Sequence, residues 1–190
     1  MNSKNLAWAA VLVYALSIST GFAAPPPNDD ISNAITILGP DAVISGTTVE
    51  ATPDPAAAAV PLCGSAVTTP GVWYTVYGGG VQAMADTCAS SNYDTKLHVF
   101  TMDGGGGLNC VTGNDDVCGL QSEVVWDGVL GEKYFILVSG FGGATGAFDL
   151  TLSGIGGVPE TADIPTLSTW GLGILAVMLG LVGYRRRTAA

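Results

Sequence analysis

The densest run of side chains able to hold a metal is Gly113-Asn114-Asp115-Asp116, three oxygen-bearing residues in succession between Cys110 and Cys118. A hard cation such as Ca²⁺ takes roughly six to eight oxygens from carboxylates, amides and loop carbonyls. Asn114, Asp115 and Asp116 are therefore candidate calcium ligands, with Asp94 as a more distant contributor. The same residue types also form turns, because their side chains cap nearby backbone N–H groups, and the two readings compete. Catalysis has less to draw on. The sequence holds one histidine, His98, and a Ser-His-Asp arrangement would need it as the base. It lies in Leu97-His98-Val99-Phe100, out of phase with Leu97 and Val99, and is expected to be an exposed or cross-strand residue. No Gly-x-Ser-x-Gly elbow and no His-Glu-x-x-His run occurs. A two-carboxylate hydrolase would require a long cleft in a small body. No catalytic residue is assigned, and a small secreted hydrolase is the third reading.

The cysteines Cys63, Cys88, Cys110 and Cys118 are even in number, which in an exported chain reads as two disulfides. Cys110 and Cys118 flank a short predicted turn, so a local Cys110–Cys118 bridge is expected, leaving Cys63–Cys88. By loop entropy these would contribute about 2.5 and 3.5 kcal/mol. Zinc is the rival, but no short cysteine pair is matched by another and His98 is distant. All 16 Asp and Glu lie in residues 24–163, against two lysines there, Lys96 and Lys133, so this segment carries a formal charge of −14. Nucleic acid is excluded as a partner, because that binding needs a basic face.

The two ends of the chain read as export signals. Lys4 precedes an apolar run at residues 6–18, too short for a bilayer span but right for a signal-peptide core. Cutting after Ala23 puts small residues, Gly21 and Ala23, where signal peptidase needs them and keeps proline off the next position. At the other end, residues 167–184 carry no charge. As a helix they would reach about 27 Å, with Trp170 and Tyr184 near the interfaces and Arg185-Arg186-Arg187 held inside. The tail Ile164-Pro165-Thr166-Leu167, then Trp170-Gly171, the apolar run and the arginines resembles the IPTL-type sorting signal. That is a relative of the PEP-type tails handled by exosortases in Gram-negative bacteria. The resemblance implies an exosortase-like membrane protease as partner, cutting near Pro165-Thr166. The precursor would be anchored in the inner membrane, facing the periplasm, and its body passed to the cell surface or matrix.

Between these ends, short runs rich in Val, Tyr, Phe and Thr recur between glycines, as strands do. They lie at residues 42–45, 47–49, 72–77, 81–87, 96–101, 123–126, 134–139 and 147–152. In residues 72–77, Val72, Tyr74 and Val76 share one face, and Trp73, Thr75 and Tyr77 the other. The fold class is all-β, an antiparallel β-sandwich or jelly roll, flanked by a signal peptide and a transmembrane helix. The domains are 1–23, signal peptide; 24–153, sandwich; 154–163, linker; and 164–190, sorting tail. Residues 51–60, rich in Pro and Ala, are expected to be an exposed loop, and residues 31–38 a helical turn or edge strand. Of Trp73, Tyr77, Tyr93, Trp126 and Phe141, at most one or two are expected to face solvent and bind; the rest are core.

Asn28-Asp29-Asp30, Cys63-Gly64, Val72-Trp73-Tyr74, Thr87-Cys88, Tyr93-Asp94-Thr95-Lys96-Leu97, Asn114-Asp115-Asp116-Val117-Cys118 and Tyr134-Phe135-Ile136-Leu137-Val138, in that order, resemble the bacterial pre-peptidase C-terminal domain family. These are β-sandwich accessory modules of secreted and surface proteins. Relatives often carry a cysteine where this chain has Ile31, and another where it has Gly104 to Gly107. The resemblance implies secretion and binding, not catalysis. It adds Asn28 and Asp29 as candidate metal ligands, since that element binds calcium in some collagen-binding relatives. The expected function is a non-catalytic cell-surface or matrix module. The alternative is a Ca²⁺-dependent adhesion domain for polysaccharide or protein; no other cofactor is implied.

Overall fold

The computed structural model describes residues 23–89 and 91–159. The expected signal peptide and sorting tail, with its membrane span, lie outside the described residues. Among the described residues no helix is long and apolar enough to cross a membrane.

The strands in chain order begin with β1 (Ile35–Thr36), β2 (Asp41–Thr47), β3 (Leu62–Cys63) and β4 (Ser65–Ala66). Next come β5 (Gly71–Gly78), β6 (Gln82–Asp86), β7 (Thr95–Met102) and β8 (Leu108–Asp115). The last are β9 (Glu123–Asp127), β10 (Lys133–Gly140), β11 (Ala147–Ser153) and β12 (Ile155–Gly156). One four-residue helix, α1 (Pro55–Ala58), interrupts them. One sheet runs β1-β5-β10-β7-β8, with β12 also paired to β5; a second runs β2-β11-β6-β9; β3 and β4 form a small hairpin. The all-β expectation holds: two sheets face each other with almost no helix.

The sequence pattern explains the layers. In β11, Phe148, Leu150 and Leu152 are buried while Asp149, Thr151 and Ser153 are half-buried, the alternation of a sheet with one wet face. In β5 and β10 the apolar run is nearly continuous, and both faces are buried. Val72, Tyr74, Val76, Leu97, Ile136 and Val138 meet Leu150, Leu152 and Trp126 in the main core between the sheets. On the opposite face of the larger sheet, Trp73, Phe100, Phe135 and Leu137 form a second core closed by Ala57 of α1 and Cys63 of β3.

Several expectations are corrected here. Residues 51–60 are only in part an exposed loop, since Pro55–Ala58 form α1. Asp54 caps α1 by accepting from Ala56 N at 2.6 Å and also accepts from Ile31 N at 2.8 Å, and Ala57 is fully buried. Residues 31–38 combine both expected forms, a 3₁₀ turn at Ile31–Asn33 and then β1. The linker expected from residue 154 begins instead with β12, whose Ile155 is 3 % exposed. The expected turn between Cys110 and Cys118 is mostly strand, since β8 continues to Asp115.

That last point decides the disulfides. The chain rises about 17 Å over the five strand steps from Cys110 to Asp115, whereas bridged Cα atoms lie within about 7 Å. The expected Cys110–Cys118 and Cys63–Cys88 pairs are therefore replaced by Cys63–Cys110 and Cys88–Cys118, with Cα separations of 5.3 and 5.8 Å. The first fastens the β3–β4 hairpin to β8. Hairpin and strand also touch at Gly64 and Gly113, where a Cβ on either would overlap the other segment's backbone. The second bridge ties the segment after β6 to the turn after β8.

Candidate functional site

The strand directions set the site at one end of the sandwich, where β7 begins and β8 and β10 finish. Asp94 immediately precedes β7, Asp115 ends β8, and Asp116 follows with a positive φ of 66° that turns the chain. Carboxylate oxygens of Asp94, Asp115 and Asp116 all lie within 4.8 Å of one another. Register places Lys96 opposite Asp115, and the Lys96 Nζ lies 3.1 Å from Asp115 Oδ2, its side chain 3 % exposed. The same ammonium stands 5.6 Å from the centre of the Phe141 ring. Phe141, 59 % exposed, is held by its backbone N–H donating to the Asp94 carbonyl at 3.1 Å.

The electrostatics of this corner are unbalanced. Burial, then the charges of Asp116 and Asp115, raise the Asp94 carboxyl above the usual range, and Lys96 only partly offsets them. The Oδ1 atoms of Asp94 and Asp115 are buried and have no hydrogen-bond partner within the protein. One ammonium thus faces three carboxylates, with oxygens available to a further cation.

The candidate ligands separate. Asp94, Asp115 and Asp116 come together. Asn114 does not join them on the same face: neighbours in a strand project oppositely, and Asn114 is the register partner of core residue Leu97. Asn28 is 4 % exposed and its amide donates to the Trp73 carbonyl at 2.8 Å. Asp29 accepts from Thr52 N and Oγ1 at 3.2 and 2.7 Å, and Asp30 caps Ser32. The Asn28-Asp29-Asp30 element is thus engaged in holding the N-terminal segment on β5. Lys96 and Phe141 are the site residues that were not foreseen as a pair. The alternation of β7 puts Lys96 on a face with His98 and Phe100, but the register with Asp115 leaves no local sign.

His98 is not exposed. It is fully buried and stacked on Phe100, with Ser65 Oγ 3.1 Å from Nε2. Burial, followed by the neighbouring Lys96 charge, lowers its pKa to about 4. Its Nδ1 has no partner, so no carboxylate orients the ring as a hydrolytic triad requires. Of the five aromatics considered for binding, Trp73 and Trp126 are core, Tyr77 and Tyr93 are half-buried, and Phe141 alone is exposed.

The described residues define an all-β, two-sheet, disulfide-bonded domain with an acidic corner beside an exposed phenylalanine. Among known families, the IPTL-CTERM motif matches residues 164–188, which supports a C-terminal sorting tail on an exported protein. One solved structure is similar at 17 % identity, covering 63 % of this chain and 94 % of its own, with a TM-score of 0.39: PliG of Aeromonas hydrophila, a periplasmic inhibitor of g-type lysozyme. No curated protein matches.

Proposed function

We propose that this chain is the precursor of a non-catalytic cell-surface or extracellular-matrix module of a Gram-negative bacterium. A signal peptide ending at Ala23 exports it, and an apolar helix at residues 167–184 holds it in the inner membrane. An exosortase-like protease then cuts the tail and passes the body outward. The observation that carries this reading is the IPTL-CTERM match at residues 164–188, following a body with two disulfides, bonds that persist in oxidising compartments. The body itself reads as a pre-peptidase C-terminal-like sandwich. Supporting this, Asn28 of the Asn28-Asp29-Asp30 element donates to the carbonyl of Trp73 in Val72-Trp73-Tyr74. The ligand class is extracellular polysaccharide or protein. Intact-mass measurement on protein recovered from native cells should give a form beginning at Ala24 and ending near Pro165-Thr166. A surface form still ending at Ala190 would overturn the processing.

A second reading, calcium-dependent binding, is favoured by the orphaned Oδ1 atoms of Asp94 and Asp115 beside Asp116. Lys96 already neutralises one carboxylate, which suits weak binding, about 0.1–1 mM, as in extracellular modules. At about 100 times the dissociation constant, Ca²⁺ should stabilise the folded state by about 2.7 kcal/mol. Asp94→Asn with Asp116→Asn leaves the Lys96–Asp115 pair intact and should remove that gain in a thermal melt. An equal shift in both proteins would place the metal elsewhere.

A further inference from the structure

Where the chain leaves the sandwich, exposed apolar side chains gather among the exposed charges of Asp127, Glu132 and Lys133. Val81, Val129, Leu130 and Val158 are 58, 62, 77 and 54 % exposed. They are contiguous: Gly128 N donates to the Val81 carbonyl at 3.0 Å, Leu130 bridges Gly78, and Leu130, Val158 and Pro159 line one cleft. This is the end where β5 and β9 finish and β10 starts, opposite to Asp94, Asp115, Asp116 and Phe141. Singly scattered apolar residues are ordinary on a surface, but a contiguous group marks an interface. From Pro159, seven residues, 160–166, lead to the apolar run that begins at Leu167. Fully extended they reach about 27 Å, so a body tethered by that run cannot move far from the bilayer.

We propose that this end docks on the lipid headgroup–acyl boundary of the membrane holding the tail, so that the acidic corner and Phe141 face outward. The inference rests on the anchored-precursor reading above. A body of formal charge −14 is repelled by anionic headgroups, and the patch is small, so docking depends on the tether. A short tether makes the contact intramolecular and raises its effective concentration. Docking would keep the body beside the membrane-embedded protease, and cutting the tether would release it.

The four native cysteines are bridged, with none free, so a single added cysteine can carry an environment-sensitive fluorophore. Full-length Leu130→Cys and Phe141→Cys proteins would be labelled and reconstituted into phosphatidylethanolamine–phosphatidylglycerol vesicles and, at one copy each, into nanodiscs. The expected result is blue-shifted emission and severalfold weaker iodide quenching at position 130 but not at 141. Adding Val129→Ser and Val158→Ser should abolish the difference. If the chain floats with vesicles but both positions emit alike, docking is wrong and the anchor reading stands. If it does not float, the anchor reading fails, and the docking with it. A shift seen in vesicles but lost at one copy per nanodisc would show that a second copy, not lipid, covers the patch.

Discussion

Replacing Cys63 and Cys110 together by alanine is expected to lower the stability of the folded body by about 4 kcal/mol. The bridge closes a loop with a sequence separation of 47, and cross-linking stabilises chiefly by restricting the unfolded chain, more so for longer loops. Domains of this size are stable by only about 5–15 kcal/mol, so the loss is large. The Cys88–Cys118 bridge, with a separation of 30, should contribute slightly less. The two differ in what they hold. Without Cys63–Cys110 the β3–β4 hairpin loses its covalent attachment to β8 and loosens over the core around Trp73 and Phe100. Without Cys88–Cys118 the segment after β6 and the turn after β8 are loosened. Urea denaturation of the two double-alanine proteins should show the larger fall for the first, with a steeper dependence on urea as its unfolded state expands. Non-reducing digestion should release Cys63 joined to Cys110; a Cys110–Cys118 peptide would refute the pairing and the register of β8 with it.

Local patterning revealed a good part of this fold. Val72, Tyr74 and Val76 alternate with Trp73, and those two sets enter the two different cores, because side-chain direction in a strand has a period of two. The elements that differ from their local pattern are those with a non-local cause. Asn114-Asp115-Asp116 has turn-forming composition, yet β8 extends to Asp115 because β7 supplies a partner along its length. Strand propensity is weak against such pairing. A turn at β8 would make the nearest cysteines natural partners; with β8 a strand, both expected bridges give way to Cys63–Cys110 and Cys88–Cys118. Ala57 falls in a stretch whose composition predicts an exposed loop; it is buried because the outer face of β5, β7 and β10 is apolar and needs a cover. The candidate site was legible in its acids, Asp94, Asp115 and Asp116. Lys96 and Phe141 join them through register and a backbone hydrogen bond, neither of which has a local signature.

The body should lose stability as pH falls from about 6.5 towards 4 through one residue, His98. Its folded pKa lies near 4 against 6.5 for a free imidazole, so in this interval the unfolded chain binds a proton that the folded chain refuses. Protonation therefore favours unfolding as pH drops, and below about 4 this contribution stops growing. Its full size is about 3 kcal/mol, taking about 1.4 kcal/mol per pKa unit; between pH 7 and 4.5 most of it is spanned. The cause is geometric. The ring is fully buried against Phe100, Lys96 repels a second positive charge, and the opposing attraction of Asp115 and the Ser65 contact are too weak to compensate. Asp94 acts with the opposite sign, since its raised pKa eases repulsion on acidification, and other carboxylates add their own slopes. The comparison that isolates the histidine is therefore a difference. Urea-derived stabilities of the wild type and His98→Leu should be measured at pH 7 and 4.5. Relative to its deficit or gain at pH 7, the leucine protein should improve on the wild type by about 2–3 kcal/mol at pH 4.5. Ser65, which is half-buried, can turn to water when its partner is removed, so the substitution adds little pH-dependent cost of its own. Parallel pH profiles for the two proteins would show that His98 titrates normally, and that the hairpin over it opens readily enough to admit water.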